Sequence, residues 1–154
     1  MDGSTLSNEF QDKMRSVFVL FVVSILLSFV QSEHHFSLTV KVNNFRSSKG
    51  VLEIGLYRDP SKFPKVGQTF RMVRVKVENN EATYTFVNLE SDQYAVCIYH
   101  DENSNKICDR NILGIPTESY AFSNNIRPRW SVPDFEECAT FLNAHKTFRI
   151  QLIH

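Results

Sequence analysis

Beyond residue 35 the chain is written in short segments where apolar and polar residues alternate with a period of two. Phe36–Val42 alternates strictly and stops at Asn43-Asn44, and Val51–Tyr57 follows Lys49-Gly50 and ends before Asp59-Pro60. Val73–Val77 and Ala82–Phe86 flank Asn79-Asn80, residues that tolerate the positive φ of a tight hairpin turn. Tyr94–Tyr99 is apolar nearly throughout, as a central strand should be, and Ala139–Leu142 and Thr147–Leu152 close the chain. No window carries a convincing helical period. About seven one-faced strands must bury their apolar sides against a second layer, which predicts an all-β, antiparallel β-sandwich of Ig-like or transthyretin-like character.

The N-terminal part departs from this rhythm. Lys13, Met14 and Arg15 precede a 14-residue apolar run, Val17–Val30, interrupted only by Ser24 and Ser28. A bilayer-spanning helix needs about 20 apolar residues, whereas a secretory signal uses roughly 7–15. Residues 1–32 therefore read as a signal peptide, with Met14 an alternative start and cleavage expected before Glu33. The alternative is a membrane anchor formed by residues 17–30. Export leaves a single domain, residues 33–154, long enough for a sizeable core.

The chain holds 17 Lys/Arg and 17 Asp/Glu. Removing residues 1–32 takes away Lys13, Arg15, Asp2, Glu9 and Asp12, so the remainder carries a net +1. Such balance excludes the basic footprint of nucleic-acid binding, and membrane contact is expected only through an uncleaved signal anchor. The three cysteines, Cys97, Cys108 and Cys138, form no disulfide framework and no C-x-x-C pair. In an oxidising compartment one bridge and one free thiol are expected, with Cys97 a buried hydrophobe and Cys108 the partner for Cys138.

The connection from Asp101 to Asp134 is long for a compact domain, and such loops usually carry function or a bound ion. Within it Asp101, Asn103, Asn105 and Asp109 place oxygens at positions 1, 3, 5 and 9, with the Ile107 carbonyl at position 7. A hard cation such as Ca2+ takes six to eight oxygens from a loop curled round it. Position 12, a glutamate in an EF-hand, is Ile112; Glu118 could supply the missing carboxylate if the Gly114-Ile115-Pro116 turn returns it. So few carboxylates imply weak binding, in the ~10⁻⁴–10⁻³ M range. The competing account is an Asx-rich turn in which Asn and Asp bond their own backbone. Apolar packing of Ile112, Leu113, Ile115, Tyr120 and Phe122 should also help to hold the loop.

His100-Asp101-Glu102-Asn103, Asn105 and Asp109, then Leu113-Gly114-Ile115-Pro116, Glu118 and Tyr120–Asn125, resemble the domain of unknown function family numbered 2141. Gly50-Val51-Leu52, Leu56-Tyr57, Leu89, Tyr94-Ala95-Val96, Pro133 and Phe135 fit the same pattern, so the resemblance covers about residues 36–152. It implies a small exported β-sandwich protein, mostly bacterial, with no settled activity. Family members commonly have glycine where this chain has Ser104, Lys106 and Ala121, and small residues at Cys97 and Cys138.

Three functions are compatible with these residues: a non-catalytic binding or cell-envelope module with a calcium-stabilised loop, a divalent-metal enzyme using His100, Asp101 and Glu118, or a structural domain with no ion. Adjacent strand residues point to opposite faces, so His100 and Asp101 alone do not form a dyad, and a His–backbone hydrogen bond is the expected role of His100. Arg127-Pro128-Arg129-Trp130 would suit stacking on sugars or anionic ligands, although Trp130 is expected to fold onto the sandwich edge.

Overall fold

The computed structural model describes residue 11, residues 13–19 and residues 35–154. Two compact units are present, Met1–Glu33 and His34–His154. In the first, residues 13–19 are helical and exposed. Among the described residues no helix is long and apolar enough to cross a membrane. Most of the apolar run 17–30, and the expected cleavage point before Glu33, lie outside the described residues.

The second unit contains eight strands: β1 (Phe36–Asn43), β2 (Val51–Tyr57), β3 (Arg71–Lys76), β4 (Glu81–Leu89), β5 (Asp92–Asp101), β6 (Tyr120–Phe122), β7 (Thr140–Leu142) and β8 (Lys146–Gln151). One sheet has the order β4-β1-β8; the other runs β3-β2-β5-β6, with β7 paired to the start of β5. Asn79 and Asn80 both take positive φ at the β3–β4 turn, as expected of them. The antiparallel expectation has one exception: β1 and β8 run parallel, with Val40 opposite Phe148. Parallel neighbours need a long crossover, and the whole of the other sheet lies between these two in sequence.

The strand alternation builds the core directly. Leu38, Val40 and Val42 of β1, with Ala82, Phe86, Leu89 and Ile150, form one apolar layer; Leu52, Ile54, Leu56, Val96 and Ile98 form the facing one. Each fully buried Leu or Ile contributes about 1.5–3 kcal/mol by leaving water. All of these residues belong to the second unit.

β5 is buried on both faces through its middle, Tyr94–Val96, which explains the nearly unbroken apolar sequence there. Tyr94, Val96, Ile98 and His100 alternate toward the core, while Ala95 and Cys97 meet a second cluster with Tyr57, Phe63, Phe122, Phe135 and Cys138. A single helical turn, Phe135–Cys138, covers this outer face and is held by a capping box between Asp134 and Glu137. Ser123 ties it down: its Oγ accepts from the Val96 N–H (2.9 Å) and donates to the Cys138 carbonyl (2.6 Å).

All three cysteines are free thiols, so the expected Cys108–Cys138 bridge is not formed. Cys138 is fully enclosed by the outer cluster, and another sulfur could reach it only by displacing that packing. Burial pushes the Cys97 and Cys138 thiols up to about 12 and raises Cys108 as well. Alkylation follows the exposed thiolate fraction, so native protein at mildly alkaline pH should label first at Cys108. Mass spectrometry that finds Cys97 or Cys138 modified first would contradict this packing.

Candidate functional site

Asp101 is the last residue of β5 and continues the outward row, whereas His100 continues the inward one. The two side chains accordingly leave opposite faces of the sheet. His100 is 0% exposed, its Nε2 lies 2.7 Å from the Lys49 carbonyl oxygen, and its ring packs edge-on against Phe45. Nε2–H therefore donates to that carbonyl, the structural bond expected of it. Nδ1 has no hydrogen-bond partner and stands 3.6 Å from a Glu102 carboxylate oxygen.

The Asp101 carboxylate is also 0% exposed. Its Oδ1 accepts from the Asn105 N–H (3.0 Å) and its Oδ2 from the Lys106 N–H (2.8 Å), so one side chain curls the next five residues into a loop. Asn103 Oδ1 also accepts from the Asn105 N–H (2.9 Å), and Asn105 Oδ1 from the Ile107 N–H (2.8 Å). These bonds match an Asx-rich turn. Ser104 and Lys106 adopt φ of 60° and 67°, at the positions where the family resemblance implied glycine. A side chain there costs about 1 kcal/mol each relative to glycine.

The loop closes on Asp109. Its carboxylate accepts from Asn103 Nδ2 (2.7 Å) and from Asn105 Nδ2 (3.0 Å to Oδ2). Beyond it a hairpin forms, with Arg110 bridged to Pro116, and the Asn111 side chain accepting from the Leu113 and Ile115 N–H groups. This hairpin returns Glu118 to the loop, where Oε1 accepts from the Glu102 N–H and Oε2 from the Asp109 N–H, both at 3.2 Å. One carboxylate thus clasps both ends of residues 102–109.

Asp101, Asn103, Asn105, Asp109 and Glu118 are therefore joined in one hydrogen-bonded cluster, while Ile107 contributes its N–H and has an exposed side chain. Among the described residues, none of the three carboxylates pairs with Lys or Arg. Burial raises the Glu118 carboxyl above its ordinary value of 4.5, the two backbone donors oppose that rise, and the Asp101 and Asp109 charges add to it. Among the described residues no three His, Cys, Asp or Glu side chains stand in metal-holding geometry. A cation here would depend on the two asparagine oxygens and on backbone carbonyls, and the asparagines would have to turn their amide N–H groups away from Asp109.

A carboxyl with a raised folded pKa binds its proton more tightly in the folded state. It adds stability at low pH that is lost as pH rises from the unfolded value through the folded one. Wild type minus Glu118→Gln, measured without divalent ions, should therefore show a stability difference that turns against wild type as pH climbs above 4.5. Urea midpoints across that range check it; a difference that moves the other way contradicts the assigned burial.

Two expectations for the loop region are corrected. Ile112, Leu113 and Ile115 do not pack inward: Ile112 is 102% exposed and Leu113 77%, because the Asn111 bonds hold the hairpin tip in solvent. Only Phe122 is buried, with Tyr120 half-buried. Trp130 does not fold onto the sandwich edge either, being 99% exposed. The 101–134 connection is also divided by β6, whose Tyr120 and Ile153 exchange backbone hydrogen bonds.

Sequence reasoning marked Gly50 as a turn residue but missed its contact: at φ +70°, its Cα faces the Asp101 carbonyl so closely that an added Cβ would lie 1.9 Å from the oxygen. It also missed an outer-face row in register, Arg74, Glu53, Tyr99 and Tyr120, in which Arg74 and Glu53 form an ion pair. Period-two alternation put these residues on the outer face, but only strand register shows that they line up. Clefts of about 430 Å³ (Asn43, Asn44, Asn79, Asn80, Glu81, Gln151) and 350 Å³ (Arg58, Asp59, Lys62, Gln68, Thr69, Phe70) contain none of the expected site residues.

A family profile described as an uncharacterized protein conserved in bacteria (DUF2141) matches residues 40–151. No curated protein and no solved structure gives a match.

Proposed function

The chain belongs to the DUF2141 family, and from that premise and the loop geometry we propose an exported, non-catalytic binding or cell-envelope module. Its 101–118 loop takes one calcium ion. The observation that carries this reading is the convergence of Asp101, Asn103, Asn105, Asp109 and Glu118 in one cluster whose three carboxylates have no basic partner among the described residues. Asp101, Asp109 and Glu118 would supply charge, Asn103 and Asn105 their amide oxygens, and Ile107 its carbonyl. Bound calcium would relieve the mutual repulsion of the carboxylates and cross-link the two ends of the loop. Oxygen-only donors and a flexible ring favour calcium over magnesium, which demands a tight octahedron and keeps its waters. Enclosure of His100 within the core supports a non-catalytic role over an enzyme built on that side chain.

A ligand that binds only the folded state stabilises it by RT ln(1 + [L]/Kd), or about 2.7 kcal/mol at 100 times Kd. Thermal melts of residues 34–154 should rise in calcium, rise less in magnesium and return to baseline in chelator. Identical melts in all three would leave the Asx-turn network as the complete account of the loop. Export is tested separately, by N-terminal sequencing of the protein recovered from the expressing cell.

A further inference from the structure

The loop of residues 126–133 lies outside the proposed calcium cluster and displays large side chains to solvent. Trp130 is 99% exposed and Val132 52%, and Arg127 and Arg129 are exposed beside them. No acidic residue occurs between Asn125 and Pro133, and among the described residues neither arginine makes an ion pair. Both ends of the loop are fastened. Upstream, Asn125 Nδ2 donates to the Arg149 carbonyl (3.0 Å) and Asn125 Oδ1 accepts from the Gln151 N–H (2.9 Å). Downstream, Pro133 is buried and the capped turn Phe135–Cys138 begins.

We propose that this loop docks the domain on an anionic lipid surface. The charge is complementary, because two unpaired guanidiniums can each take phosphate oxygens in paired hydrogen bonds. An indole held fully in water beside an aliphatic side chain suits the boundary between headgroups and acyl chains, where tryptophan concentrates. A bilayer also receives a protruding ring without needing a preformed pocket. The aliphatic tip at Ile112 and Leu113 provides an internal comparison. This docking is independent of the proposed calcium site.

Trp130 is the only tryptophan in the chain, so its own emission reports the contact. Residues 34–154 would be titrated, with chelator present and at low salt, with phosphatidylcholine vesicles alone or doped with phosphatidylglycerol. The expected result is a blue shift of emission on the anionic vesicles only, reversed by salt. In co-sedimentation, Trp130→Ala should weaken binding about tenfold, and each of Arg127→Ala and Arg129→Ala about fivefold. Ile112→Ser/Leu113→Ser should bind like wild type. No shift on anionic vesicles, an equal shift on neutral ones, or binding lost in the Ile112/Leu113 variant but kept in Trp130→Ala would each overturn the proposal. A shift with a soluble acidic polysaccharide but not with vesicles would overturn it in favour of a glycan.

Discussion

Asp101→Ala is expected to lower the unfolding free energy by about 3 kcal/mol, on the scale of two hydrogen bonds to a charged acceptor. The carboxylate is fully buried and accepts from the N–H groups of Asn105 and Lys106. Alanine leaves both donors without that partner; the Asn105 N–H keeps only its bond to Asn103 Oδ1. The turn then loses the side chain that curls it, while Ser104 and Lys106 still carry their left-handed backbone cost. Asp101→Asn retains one acceptor oxygen and should lose about half as much. Denaturant midpoints decide the matter, and an alanine variant as stable as wild type would mean that the loop is held from elsewhere. The same substitution should abolish any stabilisation by calcium, which distinguishes the carboxylate's two roles.

Gly50→Ala should be at least as damaging, at about 3 kcal/mol or more, since its added methyl meets backbone and not a movable side chain. The Cβ would lie 1.9 Å from the Asp101 carbonyl oxygen and 2.7 Å from the Glu102 Cα, at φ +70°. Val51 pairs with Asp101 in the β2–β5 ladder, so relief of the clash must part the strands at the point where the loop begins. Gly114→Ala is the matched control. It has a similar φ of +77° but nothing within 4 Å, and should cost only the left-handed penalty of about 1 kcal/mol. Equal losses for the two variants would show that conformation, not contact, governs Gly50.

Much of the sandwich was legible because its strands carry strict alternation: β2 was read to the residue, and six others to within a few. β6 was missed because Tyr120-Ala121-Phe122 is apolar throughout, shows no alternation and sits inside a connection that reads as irregular. The parallel pairing of β1 with β8 leaves no local trace, since each strand shows only which face is buried. In the loop, the Asp/Asn spacing made an Asx-rich turn legible because side-chain-to-backbone bonds in such turns span only a few residues. Glu118 required a guess about the hairpin, whose Asn111 bonds realise the return. The outward placement of Ile112, Leu113 and Trp130 ran against the rule that large apolar residues are buried. Nothing in a single sequence separates a core residue from one displayed on an exposed loop tip.

The calcium reading is tested most directly by isothermal titration of calcium into residues 34–154. One ion per chain is predicted, with a Kd of about 10⁻⁴–10⁻³ M, undetectable in Asp101→Ala and Asp109→Ala. Absence of any heat in the millimolar range, or binding that survives Asp109→Ala, would contradict it.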